Sequence, residues 1–167
     1  MKIQVRGGSC LNYRGDALLL FHHSDVKPLT GNLASLDWRC NAAVSILWKR
    51  KGNLLKFGQL TIIATQGKVR VDTVILTGLG PGDQFDGDLR REALHLALGA
   101  ALKIGARVIA VDGSSLGGDG GEGIVEDLRS VLGDMKKRGK FNITLFSTEE
   151  GRQSSRTKAA GTAGGAV

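Results

Sequence analysis

The strongest constraint on this chain is an order that recurs in its second half: an apolar run rich in β-branched residues, a glycine-rich connection, then a helical stretch. VRVDTVILT at 69–77 runs into Gly78-Leu79-Gly80-Pro81-Gly82 and then into apolar residues at helical spacing. RVIAVD at 107–112 runs into GSSLGGDGGEG and a second such stretch. Strands that alternate with helices in this way build a sheet covered by helices. Glycine totals 25 residues, about twice its usual share, and these connections account for much of the excess.

The other segments complete the pattern. KIQVR at 2–6 and DALLLFH at 16–22 read as strands, the second apolar enough to be central and buried on both faces. After Pro28, residues Leu33, Leu36, Cys40, Val44 and Leu47 keep helical spacing, so one amphipathic helix is expected, with Thr30 or Asn32 as cap and Gly52 as stop. GQLTIIAT at 58–65 and VRVDTVILT flank Gln66-Gly67-Lys68 and read as a hairpin.

Asp86 or Asp88 should cap a deeply packed helix to about Ile104, apolar nearly all round through Leu89, Ala93, Leu96, Ala97, Ala100 and Ala101 and closed by Gly105, with His95 as a hydrogen-bonded core histidine. Ile124, Val125, Leu128, Val131, Leu132 and Met135 share one face of a last helix, closed by Gly139, and FNITLFS at 141–147 is the last strand. The fold expected is α/β, three layers, with a mixed sheet of about six strands and three main helices in one domain over 1–149. Residues 150–167 are small and polar and read as a flexible tail.

A chain of about 150 residues buries roughly 70% of its unfolded surface, so 167 residues suffice for one core. Cys10 and Cys40 lie far apart without a CxxC spacing, which supports neither a disulfide framework nor a zinc site and suggests a reduced, cytoplasmic protein. MKIQVRGGSC lacks the apolar core of a leader, and the most apolar stretch, ALHLALGAAL, is too short to span a bilayer. The net charge of +7 comes in runs at 49–51, 136–140 and 152–158, read as solvated helix ends or, alternatively, as a polyanion-binding patch.

Two places could carry chemistry. Gly78 and Gly80 follow a strand and precede a helix, where open α/β sheets bind ligands, although Pro81 removes one donor and Asp83, Asp86 and Asp88 would repel an anion. The 112–123 loop is richer: Gly113, Ser114, Ser115, Leu116, Gly117 and Gly118 offer backbone and hydroxyl donors before a helix N-terminus. The competing reading is a plain strand-to-helix connection with helix-capping carboxylates at the first place and a flexible surface loop at the second. His22 and His23 are adjacent in a strand and point to opposite faces, a poor arrangement for one metal ion. No GxSxG, HExxH or P-loop pattern occurs, so neither catalytic residues nor a metal or cofactor are assigned.

The succession DALLLF, LTGNLASLDW, KFGQLTIIAT, VDTVILTGLG and ARVIAVD, from about 16 to 112, resembles the N-terminal domain of leucyl aminopeptidases. That domain has a macro-type fold, and REALHLALGAALKIGARVIAVDGSSLGG is likewise similar to ADP-ribose-binding macro domains. The resemblance implies that Ser114, Ser115, Leu116, Gly117 and Gly118 lie where such domains hold the diphosphate and distal ribose, with 22–32 as the opposite wall. It also implies that the metal-binding catalytic half of the aminopeptidases has no counterpart in these residues.

Three readings stay open. The leading one is a stand-alone binding or assembly module without peptidase activity, partnered by further copies of itself or by an aminopeptidase-type chain. The second is binding or processing of ADP-ribose or a related nucleotide through the 112–123 loop. The third is nucleic-acid binding through the basic runs. No membrane partner is expected.

Overall fold

The computed structural model describes residues 2–117, 121–135 and 139–147, and the expected tail lies outside them. Its elements run β1 (Lys2–Arg6), β2 (Gly15–His22), α1 (Gly31–Arg39), α2 (Ala43–Lys51), β3 (Leu60–Ala64), β4 (Val71–Gly78), α3 (Gly87–Lys103), β5 (Val108–Asp112), α4 (Glu122–Asp134) and β6 (Asn142–Phe146). One six-stranded sheet has the order β1-β6-β5-β2-β4-β3. Its neighbours pair in parallel except β3, which returns antiparallel to β4 through the hairpin at 65–70.

β2 is central, as its unbroken apolar run requires. Its alternate side chains divide between the two layers. Ala17, Leu19 and Phe21 join a core cluster with Ala93, Leu94, Ala97 and Leu98 of α3 and Leu128 and Leu132 of α4. Leu18 and Leu20 join a second cluster on the opposite face, with Leu33 and Leu36 of α1 and Val44 of α2. Helices on both faces of a mixed sheet give the expected three layers.

The single helix expected after Pro28 is two. The chain turns through Asn41 (φ 56°) and Ala42 (φ 59°), both left-handed, which no α-helix accommodates. Asp37, buried at the end of α1, starts the second helix. Its Oδ1 accepts from the N–H groups of Val44 (2.8 Å) and Ser45 (3.1 Å), and its Oδ2 accepts the Ser45 hydroxyl (2.5 Å). Gly52 ends α2 at φ 68°, and Lys49, Arg50 and Lys51 form its exposed last turn. Four main helices therefore replace three.

In α3 the cap is Asp86, whose carboxylate accepts the Leu89 N–H at 2.9 Å, and Gly105 at φ 85° follows the end. This helix is one-sided rather than packed all round. Leu89, Leu96 and Ala100 are half-buried and His95 is exposed, because α3 meets the sheet and α4 on one side and solvent on the other. His95 is thus not a core residue. Arg90 Nε to Asp127 Oδ2, 2.5 Å, ties α3 to α4. No described helix is long and apolar enough to cross a membrane.

Candidate functional site

The parallel strands β2, β4 and β5 all end at the same edge of the sheet, where their loops must meet. The β4 loop is locked inward. A Cβ on Gly78 would stand 2.3 Å from the Lys56 carbonyl oxygen and 2.5 Å from the Leu55 carbonyl carbon, so only glycine admits the 55–59 segment. The Gly78 N–H donates to Gln59 O (2.9 Å) and the Gly80 N–H to Leu55 O (3.0 Å). Both donors are spent within the protein.

The segment after β2 is fastened to this loop. The Ser24 N–H (3.0 Å) and His23 Nδ1 (3.2 Å) both donate to the Gly80 carbonyl, and Asp25 accepts the Gly82 N–H with both oxygens at 3.1 Å. The two histidines point apart: His23 stacks edge-on against Phe85 at 5.0 Å, and His22 against Trp48 at 6.4 Å. His22 is buried and its Nε2–H donates to Val26 O at 3.2 Å. Burial holds its imidazole below the ordinary histidine pKa, and so in the neutral form.

The β5 loop is partly open. Gly113 and Leu116 anchor it: the Gly113 N–H donates to Phe146 O (2.8 Å), its missing Cβ leaves room for that same oxygen, and Leu116 is buried in the α3/α4 cluster. Ser114 and Gly117 are exposed and Ser115 is half-buried, with Gly117 at φ 65° and open space around it. Gly118 lies outside the described residues. Among the described residues, no partner meets the Ser114 and Ser115 hydroxyls or the N–H groups of Ser115 and Gly117.

Facing this loop is the start of α1. Thr30 gives it no side-chain cap, so the N–H groups of Gly31, Asn32 and Leu33 find no partner among the described residues. Asn32 bridges the two elements: its Nδ2 donates to Asp112 Oδ2 at 3.1 Å, while Asp112 Oδ1 accepts the Ser114 N–H at 3.1 Å. The Ser9 hydroxyl donates to Asn32 Oδ1 at 3.3 Å. The sequence gives no hint of the Asn32–Asp112 bridge, because the partners are 80 positions apart and Asn32 also reads as a helix cap.

Unpaired backbone donors at a helix N-terminus, beside a glycine-serine loop, favour an anionic group. Neither cysteine is activated as a nucleophile. Cys10 is buried next to this site, and burial with the Asp112 charge pushes its thiol far above the ordinary range. Cys40 is pushed up too, by burial first and then by Asp37. Among the described residues, no group of three or more His, Cys, Asp or Glu side chains is placed to hold a metal ion.

Comparison with known proteins fits this architecture. The macrodomain of Mycobacterium tuberculosis DarG superposes with a TM-score of 0.71 at 13% identity, covering 88% of this chain and 98% of that one. This chain has a macro-type fold. The Trypanosoma brucei macrodomain in complex with ADP-ribose superposes on this macro-type domain at 0.66 with 15% identity, covering 95% of it and 69% of the other. A tomato leucine aminopeptidase gives 0.69 at 18% identity, over 93% of this chain and 34% of that one.

In sequence the chain is similar to proteins described as probable cytosol aminopeptidases. One, from Sulfurihydrogenibium, is 28% identical over 112 residues, and one from Synechocystis is 31% identical over 107. Those matches cover 67% and 60% of this chain and 22% of each relative. The macro-type domain thus spans about a fifth of the relatives' length. It stands close to the N-terminal domain of leucyl aminopeptidases, the resemblance the sequence carries. No protein-family model matches the chain.

Proposed function

We propose that this macro-type domain is a binding module for a small nucleotide-like anion of the ADP-ribose kind, held between the start of α1 and the 113–117 loop. One observation carries the reading: the unpaired N–H groups of Gly31, Asn32 and Leu33 face a loop that also presents free donors, across the Asn32–Asp112 bridge. Two sets of fixed donors on opposite walls suit a diphosphate, which has oxygens for both. The macrodomain crystallised with ADP-ribose supports the choice of ligand. In this reading Ser114, Ser115 and Gly117 touch the ligand, Gly113 and Leu116 hold the loop, and Gly78 and Gly80 serve the packing of the 55–59 segment. Peptide hydrolysis is not assigned to the domain, since both thiols are held un-ionised and no ligand set for a metal is gathered among the described residues.

Calorimetric titration of the full chain with ADP-ribose tests the reading. Saturable heat is expected, and Gly117→Glu should abolish it by placing a carboxylate in the loop at a left-handed position that costs about 1–2 kcal/mol for a residue with a Cβ. No heat at millimolar ADP-ribose would remove the proposal.

A further inference from the structure

Six large apolar side chains are exposed among the described residues, and four of them gather at one edge of the sheet. Leu60 (38% exposed) and Ile62 (56%) belong to β3, Ile46 (47%) to α2, and Ile104 (46%) follows α3. β3 pairs with β4 alone, so its other side presents unpaired backbone. A groove of about 360 Å³ lies between β3 and α2, along Ala43, Ile46, Leu47 and Arg50. Another of about 320 Å³ lies between β3 and α3, along Leu96, Ala100, Lys103 and Ile104. No carboxylate lines either one.

The ladder fixes which groups face outward. The Gln59 carbonyl accepts from the Gly78 N–H, and the Thr65 N–H donates to the Asp72 carbonyl, so odd-numbered residues of this strand bond β4. Leu60, Ile62 and Ala64 therefore turn both backbone groups away from the sheet. These three are symmetric about Ile62. In an antiparallel pairing of two such strands Ile62 meets its own copy and each Leu60 meets an Ala64, which satisfies all three residues of each strand and sets a large side chain against a small one.

The opposite edge lacks this property. β1 reads KIQVR, and the same pairing about Gln4 would set Lys2 against Arg6. Like charges placed directly opposite oppose pairing. Nothing from Gln59 to Thr65 is charged. We propose that two copies of this chain associate through β3 about a two-fold axis at Ile62, joining their sheets into one of twelve strands. The association is independent of any ligand at the α1 cleft.

Sedimentation analysis of the full chain decides the matter. The expected result is a concentration-dependent dimer whose dissociation constant rises about 100-fold or more with Ile62→Lys. Val5→Lys on the β1 edge should leave it unchanged. Ile62 is more than half exposed, so the lysine variant should fold, and its circular dichroism spectrum checks that it does. A wild-type chain that stays monomeric at about 100 μM would overturn the proposal. So would a dimer that Ile62→Lys leaves intact.

Discussion

The two faces of the sheet are covered by different means. On one, α3 of 17 residues and α4 of 13 lie side by side, joined by the Arg90–Asp127 pair, over a cluster that takes in β2, β4, β5 and β6. On the other, α1 and α2 have nine residues each, and the chain passes between them through two left-handed residues. Each of those conformations costs a residue with a Cβ about 1–2 kcal/mol. The hydrogen bonds to Asp37 offset that cost. The long helices give a stiff support, and the short ones let the chain deliver an uncapped helix start and Asn32 to the carboxyl edge of the sheet, where the candidate site lies.

The largest expected effect tests this contrast with one substitution made on both faces. Leu98 and Leu36 are both fully buried, and replacing a buried leucine by alanine costs about 2–5 kcal/mol according to how far the surroundings close over the gap. Leu98→Ala, held between α3, α4 and the sheet, should fall near the upper end in urea unfolding. Leu36→Ala should fall near the lower end, because a nine-residue helix between turns can shift into the space. Equal losses would mean that the two faces are equally rigid.

A smaller effect isolates the turn itself. Asp37→Ala removes the acceptor for two N–H groups and one hydroxyl at the start of α2, and loss of such a cap costs about 0.5–2 kcal/mol. The upper half of that range is expected, since Asp37 is buried and water does not readily replace it. Ser45→Ala, which removes only the hydroxyl bond, should cost about 0.5–1.5 kcal/mol and less than Asp37→Ala in the same measurement. If Asp37→Ala proved neutral, the left-handed turn would have to be held by packing alone.

The same contrast explains what could be read from the sequence. β2, the hairpin, α3 with its Asp86 cap, and α4 are legible because each depends on contiguous residues: an unbroken apolar run, a Gln66-Gly67 turn, a carboxylate three positions before the N–H it caps. The α1–α2 break is not. Cys40 and Val44 keep helical spacing straight across it, and Asn41 is the only residue there that favours a left-handed backbone. Likewise the 113–117 loop is legible as glycine and serine after a strand, whereas the wall opposite depends on Asn32 meeting Asp112, a contact that no local pattern encodes. The outer side of α3 misleads for a different reason: Leu96 and Ala100 border the β3 edge, so their apolar character marks a groove rather than a core.

The smallest effect concerns His22, where the two faces can be compared by proton uptake. Its imidazole sits under α2 against Trp48, with Lys27 Nζ 5.1 Å from the centre of the same indole ring, and burial lowers its pKa below the ordinary value. Above about pH 6.5 the ring is neutral in both folded and unfolded chains, and the histidine makes no difference to the pH dependence of stability. Below that value the unfolded chain takes up a proton that the folded one resists, so stability falls as pH drops, until the folded ring is protonated as well. Thermal unfolding of the native chain should therefore move to lower temperature between pH 7 and pH 5 by more than that of His22→Gln, which keeps a polar side chain there but cannot titrate. Parallel slopes for the native chain and His22→Gln would show that the α1/α2 side opens enough to let water reach the ring, and that the difference between the faces extends to the floor of the sheet.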